Sequence, residues 1–312
     1  MTSTINARQE LNRTFKTHIA LLGANFIYGL NYVIAKGIMP DHLSPKSIIF
    51  IRVIITVVIF WILHLFIPSE KVEKRDLFKF ALCAFFGVAV NQLLFFEGLN
   101  LSTPINASII ITVIPVLVLL FSHFILHDKI TPIKVAGIIM GAAGALMVIL
   151  SAGAGDFRSA TMLGNLLIFI NAASWSFYLV LIKPLMERYD NFTVMKWVFL
   201  FGFIIIFPFT FNSFASSSFS TIPVNIWLSI SFVVFGATII AYFLNNYSLK
   251  SVSPSVNGIY IYLQPLIASV VSILFGKDQI SVIKILAAIL IMTGVYLVTR
   301  HSRKTASIFP EQ

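Results

Sequence analysis

The sequence predicts an all-α integral membrane protein with ten transmembrane helices, arranged as two inverted-topology repeats of five helices each. Three observations predict this fold class: a shortage of charged residues, ten long apolar runs, and an internal repeat. Of the 312 residues, 58% are hydrophobic and only 11% are charged, whereas soluble domains carry roughly 25% charged residues. A surface with so little charge requires lipid, not water, over most of its perimeter.

The ten apolar runs, which we call spans 1 to 10, are each long enough to cross a bilayer, since a helix needs about 20 residues to do so. Span 1 follows Arg8, Arg13 and Lys16, as the apolar part of a signal peptide would. It continues to Met39 without a small-residue cleavage site, so we expect it to be retained. The spans are 17–38, 48–67, 77–98, 104–126, 133–151, 162–183, 193–211, 225–247, 254–275 and 282–299.

Lysine and arginine are concentrated in alternate connectors between the spans. Because positive connectors remain on the cytoplasmic side, we expect a multi-pass protein of the cytoplasmic membrane with both termini, including the tail 301–312, in the cytoplasm. The net charge of +10 does not indicate a nucleic-acid partner, because the positive residues do not form one continuous face. The expected partners are membrane lipid and a small-molecule solute.

The two halves of the chain repeat each other. A shift of about 150 residues aligns spans 4 and 5 with spans 9 and 10, and a slightly shorter shift aligns the starts of the halves. Matching pairs are Pro104 with Pro254, Pro115 with Pro265, Asp128 with Asp278, and Lys36 with Lys183. We therefore predict repeat 1 at 13–151 and repeat 2 at 160–300. Five is odd, so repeat 2 enters the membrane from the opposite side, as in many secondary transporters with a substrate site between the halves.

Pro115 and Pro265 lie in the middle of spans 4 and 9. A proline inside a helix lacks the N–H that the helix needs and clashes with the preceding turn. Each is expected to bend its span and to free a carbonyl near the membrane centre. Two interpretations remain open at this point. The bends are either hinges that line a central cavity, or packing kinks without solute contact.

Several segments resemble a known family in their order and in their duplication. They are "YGLNYVIAK" at 28–36, "FIR" at 50–52, "STPINASIIITVIPV" from Ser102 and "SVSPSVNGIYIYLQPL" from Ser251. Over nearly the whole chain they resemble the ten-span EamA-type branch of the drug/metabolite transporter superfamily. The resemblance implies transport of small organic solutes through a site between spans 1, 3, 4, 6, 8 and 9. Two departures are Asp128 and Asp278, where the family usually has glutamate, and Tyr28, where it usually has tryptophan.

Polar and aromatic side chains within the spans are the candidate solute contacts. Amides in a membrane also join helices by hydrogen bonds, so each has a purely structural alternative. Aromatic rings suit a partly apolar solute. The predicted substrate-binding residues are Tyr28, Asn31, Asn91, Gln92, Asn106, Trp175, Tyr178, Tyr242, Tyr260 and Gln264.

Lys36, Arg52 and Glu97 are charged residues within spans, and such charges are costly enough to suggest a function. We predict that they serve ion coupling or form a gate, with Glu97 as the candidate proton carrier. The alternatives are an ion pair of Glu97 with Lys36 or Arg52, and a Lys36 side chain that reaches the membrane interface.

No motif in the chain suggests a metal site, a catalytic nucleophile or a nucleotide-binding loop, so we expect neither enzymatic activity nor a cofactor. Small residues such as Gly137, Gly141 and Gly294 form faces on spans 5 and 10, which are expected to act as scaffold or as the contact of a homodimer. The predicted function is a secondary transporter that moves a small organic metabolite, an amino acid or a similar amphipathic solute, by alternating access, with export as the expected direction. The alternatives are a channel-like permease without ion coupling and, less favoured, a membrane-embedded enzyme.

Overall fold

A computed structural model of the chain describes residues 2–66, 70–102, 104–151, 162–267 and 282–308, and these ranges are helical with short turns between the helices. Six helical segments in these ranges are long and apolar enough to cross a membrane, and three shorter apolar helices accompany them. The helices are α1 (Thr2–Ile38), α2 (Pro45–His64), α3 (Lys74–Ala84), α4 (Asn91–Leu101), α5 (Pro104–Ile111), α6 (Ile114–Leu126), α7 (Pro132–Ser151), α8 (Met162–Arg188), α9 (Asn191–Ala215), α10 (Val224–Ser231), α11 (Ala241–Leu249), α12 (Pro254–Ile259) and α13 (Val282–Ile308).

Local sequence explains where several helices begin. Ser44 accepts a hydrogen bond from the backbone N–H of Ser47, and Pro45 follows it as the first residue of α2. Ser253 and Pro254 start α12 in the same way. A serine cap satisfies one of the free N–H groups at a helix start, and proline there has no N–H to leave unsatisfied.

Two long helices contain a π-helical segment. Phe85–Val90 joins α3 to α4, and Phe232–Ile240 joins α10 to α11. A π-helical turn moves backbone carbonyls out of the regular α-helical pattern and is frequent at functional sites. The two segments occupy corresponding places in the two halves of the chain.

Spans 4 and 9 are interrupted one turn before their central prolines. Helix α5 ends at Ile111 and α6 begins at Ile114, so Pro115 lies in the first turn of α6. In span 9, a 3₁₀ turn at Tyr260–Tyr262 separates α12 from the helical residues 263–267, which include Pro265. The sequence predicted a bend within a continuous helix. The structure instead changes conformation at the residues whose carbonyls each proline cannot bond.

The helices pack in pairs that mix the two halves of the chain. Helix α7 packs along α13, α2 along α9, α4 along α8, α1 along α11, and α6 along α12. In the α7–α13 pair, a Cβ atom at Gly294 would lie 2.5 Å from the carbonyl oxygen of Gly137. The small-residue faces of spans 5 and 10 therefore contact each other within one chain. This contact fits the scaffold role expected of these faces, and the homodimer stays a prediction.

Large apolar side chains point outward along the helices. Phe78 is 74% exposed, Leu228 70% and Met162 88%. Such side chains require lipid around them. The interior, by contrast, holds many buried asparagine, glutamine, serine and tyrosine side chains.

Charged residues join the two halves at one end of the bundle. The buried carboxylate of Asp76, near the start of α3, accepts hydrogen bonds from Arg188 at 2.6 Å and from the Tyr189 hydroxyl at 2.8 Å, and it pairs with Lys79 at 3.1 Å. Burial is the largest of the effects that raise the pKa of Tyr189 above its ordinary value. We call Asp76, Arg188 and Tyr189 the end cluster. It links the start of α3 to the end of α8.

Candidate functional site

A cavity of about 80 Å³, within an open space of about 560 Å³ that includes its mouth, lies between the two halves of the chain. Helices α1, α2, α4, α5, α6, α8, α11 and the 260–267 region contribute to its wall. Eight of the residues predicted from the sequence line it: Tyr28, Asn31, Arg52, Asn91, Gln92, Trp175, Tyr242 and Gln264. The wall also includes Tyr32, Phe95, Phe96, Ile111, Ile114, Asn171 and Ile261.

Three aromatic rings form one side of the cavity. Tyr28 meets Trp175 and Tyr242 edge to face, with ring centroids 6.3 Å apart in both pairs, and Trp175 meets Tyr242 at 5.1 Å. Tyr28 and Trp175 occupy matching positions in the two halves, so the seam between the halves passes through this group. Edge-to-face packing holds the rings in place.

The first π-helical segment supplies hydrogen-bond acceptors near the cavity. The Tyr242 hydroxyl donates to the carbonyl oxygen of Gly87 at 2.9 Å and lies 3.1 Å from Oδ1 of Asn91. Asn171 Nδ2 donates to the carbonyl oxygen of Asn91 at 2.7 Å. These bonds tie α8 and α11 to the same stretch of span 3. They fix the polar wall of the cavity.

Gln264 connects two residues of α1 across the cavity. It accepts a hydrogen bond from the Tyr32 hydroxyl at 2.9 Å and donates one to Oδ1 of Asn25 at 2.9 Å. Because Gln264 directly precedes Pro265, its position depends on the interruption in span 9. A movement at that interruption would therefore also displace the residues of α1 that Gln264 bonds.

Arg52 is buried, with 3% of its surface exposed. Its Nε donates to the Thr238 hydroxyl at 2.7 Å, and its guanidinium lies 4.7 Å from the centre of the Phe96 ring. Thr238 belongs to the second π-helical segment. Arg52 thus links α2 to the other half of the chain through one hydrogen bond.

Comparisons with known proteins decide the family. The model of the EamA-like transporter family matches the chain twice, over residues 15–150 and over residues 162–300. The chain belongs to the EamA-like transporter family. This family lies within the drug/metabolite transporter superfamily, as the sequence motifs predicted.

Similar proteins carry transporter names. The uncharacterized transporter YyaM of Bacillus subtilis is 25% identical over 89% of this chain and 92% of its own length. An uncharacterized transporter of Archaeoglobus fulgidus is 27% identical over 91% of this chain and 97% of its own length. A WAT1-related protein of Arabidopsis thaliana is 24% identical over 89% of this chain and 83% of its own length. This EamA-family chain is therefore a multi-pass membrane transporter, and its relatives point away from an enzyme.

A crystal structure shares the fold of this EamA-family chain. It covers 94% of this chain and 98% of its own chain, with a TM-score of 0.72 and 21% sequence identity. At that identity the similarity concerns the fold alone.

Several predicted site residues of this EamA-family chain lie outside the cavity wall. The Tyr178 hydroxyl donates to Oδ1 of Asn246 at 2.9 Å, and Tyr260 bonds His18 at 2.7 Å. Tyr178 supports the site indirectly, since its ring lies 5.0 Å from that of Trp175. The side chain of Asn106 and the whole of Asp278 are outside the described residues.

The ion pair considered for Glu97 is not formed within the part of the chain that the structure describes. Lys36 Nζ donates instead to the carbonyl oxygens of Leu99 at 3.0 Å and Asn100 at 2.7 Å. These carbonyls lie at the C-terminal end of α4, where a cation is favoured by the helix dipole. Arg52 is turned toward Thr238 and Phe96. The ion-coupling role of Glu97 stays a prediction.

Some lining residues missed by the sequence analysis did have a signal. Tyr32 lies four residues after Tyr28, and Asn171 lies four residues before Trp175, so each shares a helix face with a predicted residue. Ile111 and Ile261 lie four residues before the two central prolines. Phe95 and Phe96 had no such signal, because the chain contains 30 phenylalanines and many of them face lipid.

Proposed function

We propose that this transporter is a secondary carrier of the cytoplasmic membrane that moves a small amphipathic organic solute, an amino acid or a similar metabolite, by alternating access. The observation that carries the proposal is a cavity with mixed aromatic and polar walls at the seam of the two halves. Such walls suit a solute with an apolar body and a few polar groups. Export is the proposed direction, with both termini in the cytoplasm.

The proposed architecture is ten spans in two inverted repeats, at 13–151 and 160–300. The doubled family match supports it. So do the two π-helical segments, the two interruptions before Pro115 and Pro265, and the packing of α7 with α13 and of α2 with α9, which are corresponding helices in the two halves. A pseudo-two-fold axis in the membrane plane would produce these pairings.

Alternating access further requires that one end of the pathway be closed while the other is open. The cavity residues Tyr28 and Arg52 lie nearer the turn that joins α1 to α2 than to the opposite helix ends. The end cluster lies at the opposite end, since it includes the start of α3. We propose that the end cluster closes the cytoplasmic side in this state, and that Pro115 and Pro265 mark the hinges.

Solute counterflow in proteoliposomes tests the carrier. Vesicles loaded with one unlabelled amino acid from a panel are diluted into a trace of the labelled form. In a carrier, the outward movement of unlabelled solute drives uptake of the label, which rises transiently inside the vesicles above its external concentration. Label that only equilibrates, regardless of the internal solute, would indicate a channel-like permease instead.

Within this assay we expect Trp175→Ala to lower the counterflow rate by about tenfold or more, because the loss of one aromatic wall removes at least about 1.4 kcal/mol of binding. Trp227→Ala is the matched control. Trp227 is 39% exposed, and among the described rings it contacts only that of Phe219, with the centroids 6.4 Å apart. Its loss should therefore leave the counterflow rate unchanged. Equal rates in the two variants would show that the cavity is not the solute site.

A further inference from the structure

Arg52 is a buried cation without an acidic partner. No carboxylate of the described residues lies within 4.0 Å of its guanidinium, although Arg52 is only 3% exposed. Of its five N–H donors, the one at Nε bonds Thr238, and the others donate to none of the residues that the structure describes. It lies seven residues into α2, which is about 10 Å from the start of that helix. A charge at such a depth is costly unless it is paired.

Other lysines within the spans show how this protein normally satisfies a cation. Lys36 donates to two carbonyls at the end of α4. Lys183 bonds the carbonyl oxygen of Leu249 and pairs with Glu187 at 2.7 Å. Lys196 lies over the rings of Trp61 and Trp197, at 5.1 and 5.7 Å. Arg52 differs from these three because it lines the cavity, so its partner can come from a bound solute.

Further polar atoms in the cavity wall also lack partners. The Tyr28 hydroxyl and Oδ1 of Asn31 are buried and form no hydrogen bond with the described residues, and Asn31 is only 5% exposed. A buried polar atom without a hydrogen-bond partner destabilises the fold. The hydroxyl can donate to an anion beside Arg52, and Oδ1 can accept from a donor elsewhere on the same solute. One cavity wall thus holds a cation without a carboxylate partner and two polar atoms without hydrogen-bond partners, which is the arrangement expected of a binding site.

We propose that Arg52 binds an anionic group of the solute, so that the transporter carries an organic carboxylate with an apolar body. This inference rests on the proposed function and narrows its substrate class. A carboxylate accepts two parallel N–H bonds from one guanidinium, and Arg52 has such donors left. A phosphate would call for more cationic groups than this wall supplies. Phe95, Phe96, Ile111 and Ile261 provide the apolar surface for the rest of the molecule.

Paired probes of equal size test the proposal. The purified full chain is heated in detergent with 3-phenylpropionate, with hexanoate, and with the neutral amide of each acid. We expect the acids to raise the melting temperature and to bind at least tenfold more tightly than their amides. A ligand that binds only the folded state stabilises it by RT ln(1 + [L]/Kd), so the dependence of the melting temperature on ligand concentration gives the affinity of each acid and each amide.

Variants of Arg52 and Lys196 test which cation causes the preference for acids over amides. Arg52→Gln should abolish the preference for the acid over the amide, while Arg52→Lys should keep part of it, because lysine retains the charge but not the planar fork. Lys196→Gln removes another buried cation, outside the cavity wall, and should leave the preference unchanged. If Arg52→Gln does not fold, the comparison of Arg52→Lys with the unaltered protein still tests the proposal.

The proposal is overturned if neither acid stabilises the protein, if the amides bind as tightly as the acids, or if Arg52→Gln keeps the preference. These results are separate from a failure of the carrier. A preference for acids without counterflow would leave Arg52 as an anion site but refute transport by exchange. Counterflow that is unaffected by Arg52→Gln would support the carrier but refute Arg52 as the anion site.

Discussion

We expect Gly294→Ala to lower the melting temperature of the purified protein by roughly 2–12 °C. A Cβ atom at this position would lie 2.5 Å from the carbonyl oxygen of Gly137, 2.9 Å from the backbone nitrogen of Gly141 and 3.2 Å from its Cα. All three are backbone atoms, so helices α7 and α13 must move apart. Overpacking of this kind typically costs about 1–3 kcal/mol, and each kcal/mol shifts the melting temperature by about 2–4 °C in a protein of 150–250 residues.

Gly37→Ala is the matched control for Gly294→Ala. Gly37 also lies within a helix, α1, but a Cβ atom there would have nothing within 4 Å. Gly37 is the penultimate residue of α1, where the preference for alanine over glycine in a helix interior applies only in part, so this variant should melt at about the same temperature as the unaltered protein. Equal melting temperatures for Gly294→Ala and Gly37→Ala would contradict the close contact of α7 with α13.

We expect Asp76→Asn to open the end of the cavity at which the end cluster lies, which is the proposed cytoplasmic side. The Asp76 carboxylate is fully buried and binds Arg188 and Tyr189 at the end of the bundle. Hydrogen bonds to a charged group are roughly twice as strong as neutral ones. In the proposed mechanism these bonds form only while this end is closed. Their loss therefore shifts the population toward the state in which this end is open, because a group biases an equilibrium only through the difference between its energies in the two states.

The readout for Asp76→Asn is a cysteine placed at Ile261, in the Cys83→Ser background, and labelled from the cytoplasmic side with an impermeant maleimide. Its labelling rate should rise several-fold. Asp190→Asn is the control, because the Asp190 side chain is 49% exposed and pairs with Lys250 at 3.2 Å in the same region. An increase of the same size in both variants would show that general loosening, not the end cluster, is responsible.

Sequence patterns predicted much of this protein because lipid imposes a simple rule on composition. Long apolar runs follow from the thickness of the bilayer, and helices follow from the need to satisfy every backbone group within the membrane. The interruptions before Pro115 and Pro265 are a stronger version of the predicted bends. Glycine spacing on spans 5 and 10 predicted close contact, but the partner could not be read from it, since a small face fits another chain as well as its own.

The candidate site was harder to predict because burial and function leave similar marks on a single residue. Tyr178 and Tyr260 have the same chemistry as Tyr242, and only the fold turns Tyr242 toward the cavity while the other two bond Asn246 and His18. Glu97 and Arg52 both looked like coupled charges. In the structure Arg52 lies over the ring of Phe96, the residue before Glu97, and neighbouring residues of a helix point about 100° apart.

Access to the cavity from both sides of the membrane is the most direct test of the central claim. Ile111 and Ile261, which line the cavity at corresponding positions of the two halves, are replaced singly by cysteine in the Cys83→Ser background. Right-side-out and inside-out vesicles are then treated with an impermeant maleimide. Alternating access predicts that each cysteine reacts from both sides, and that a transported solute slows the reaction from both. A reaction from only one side, with or without solute, would contradict it.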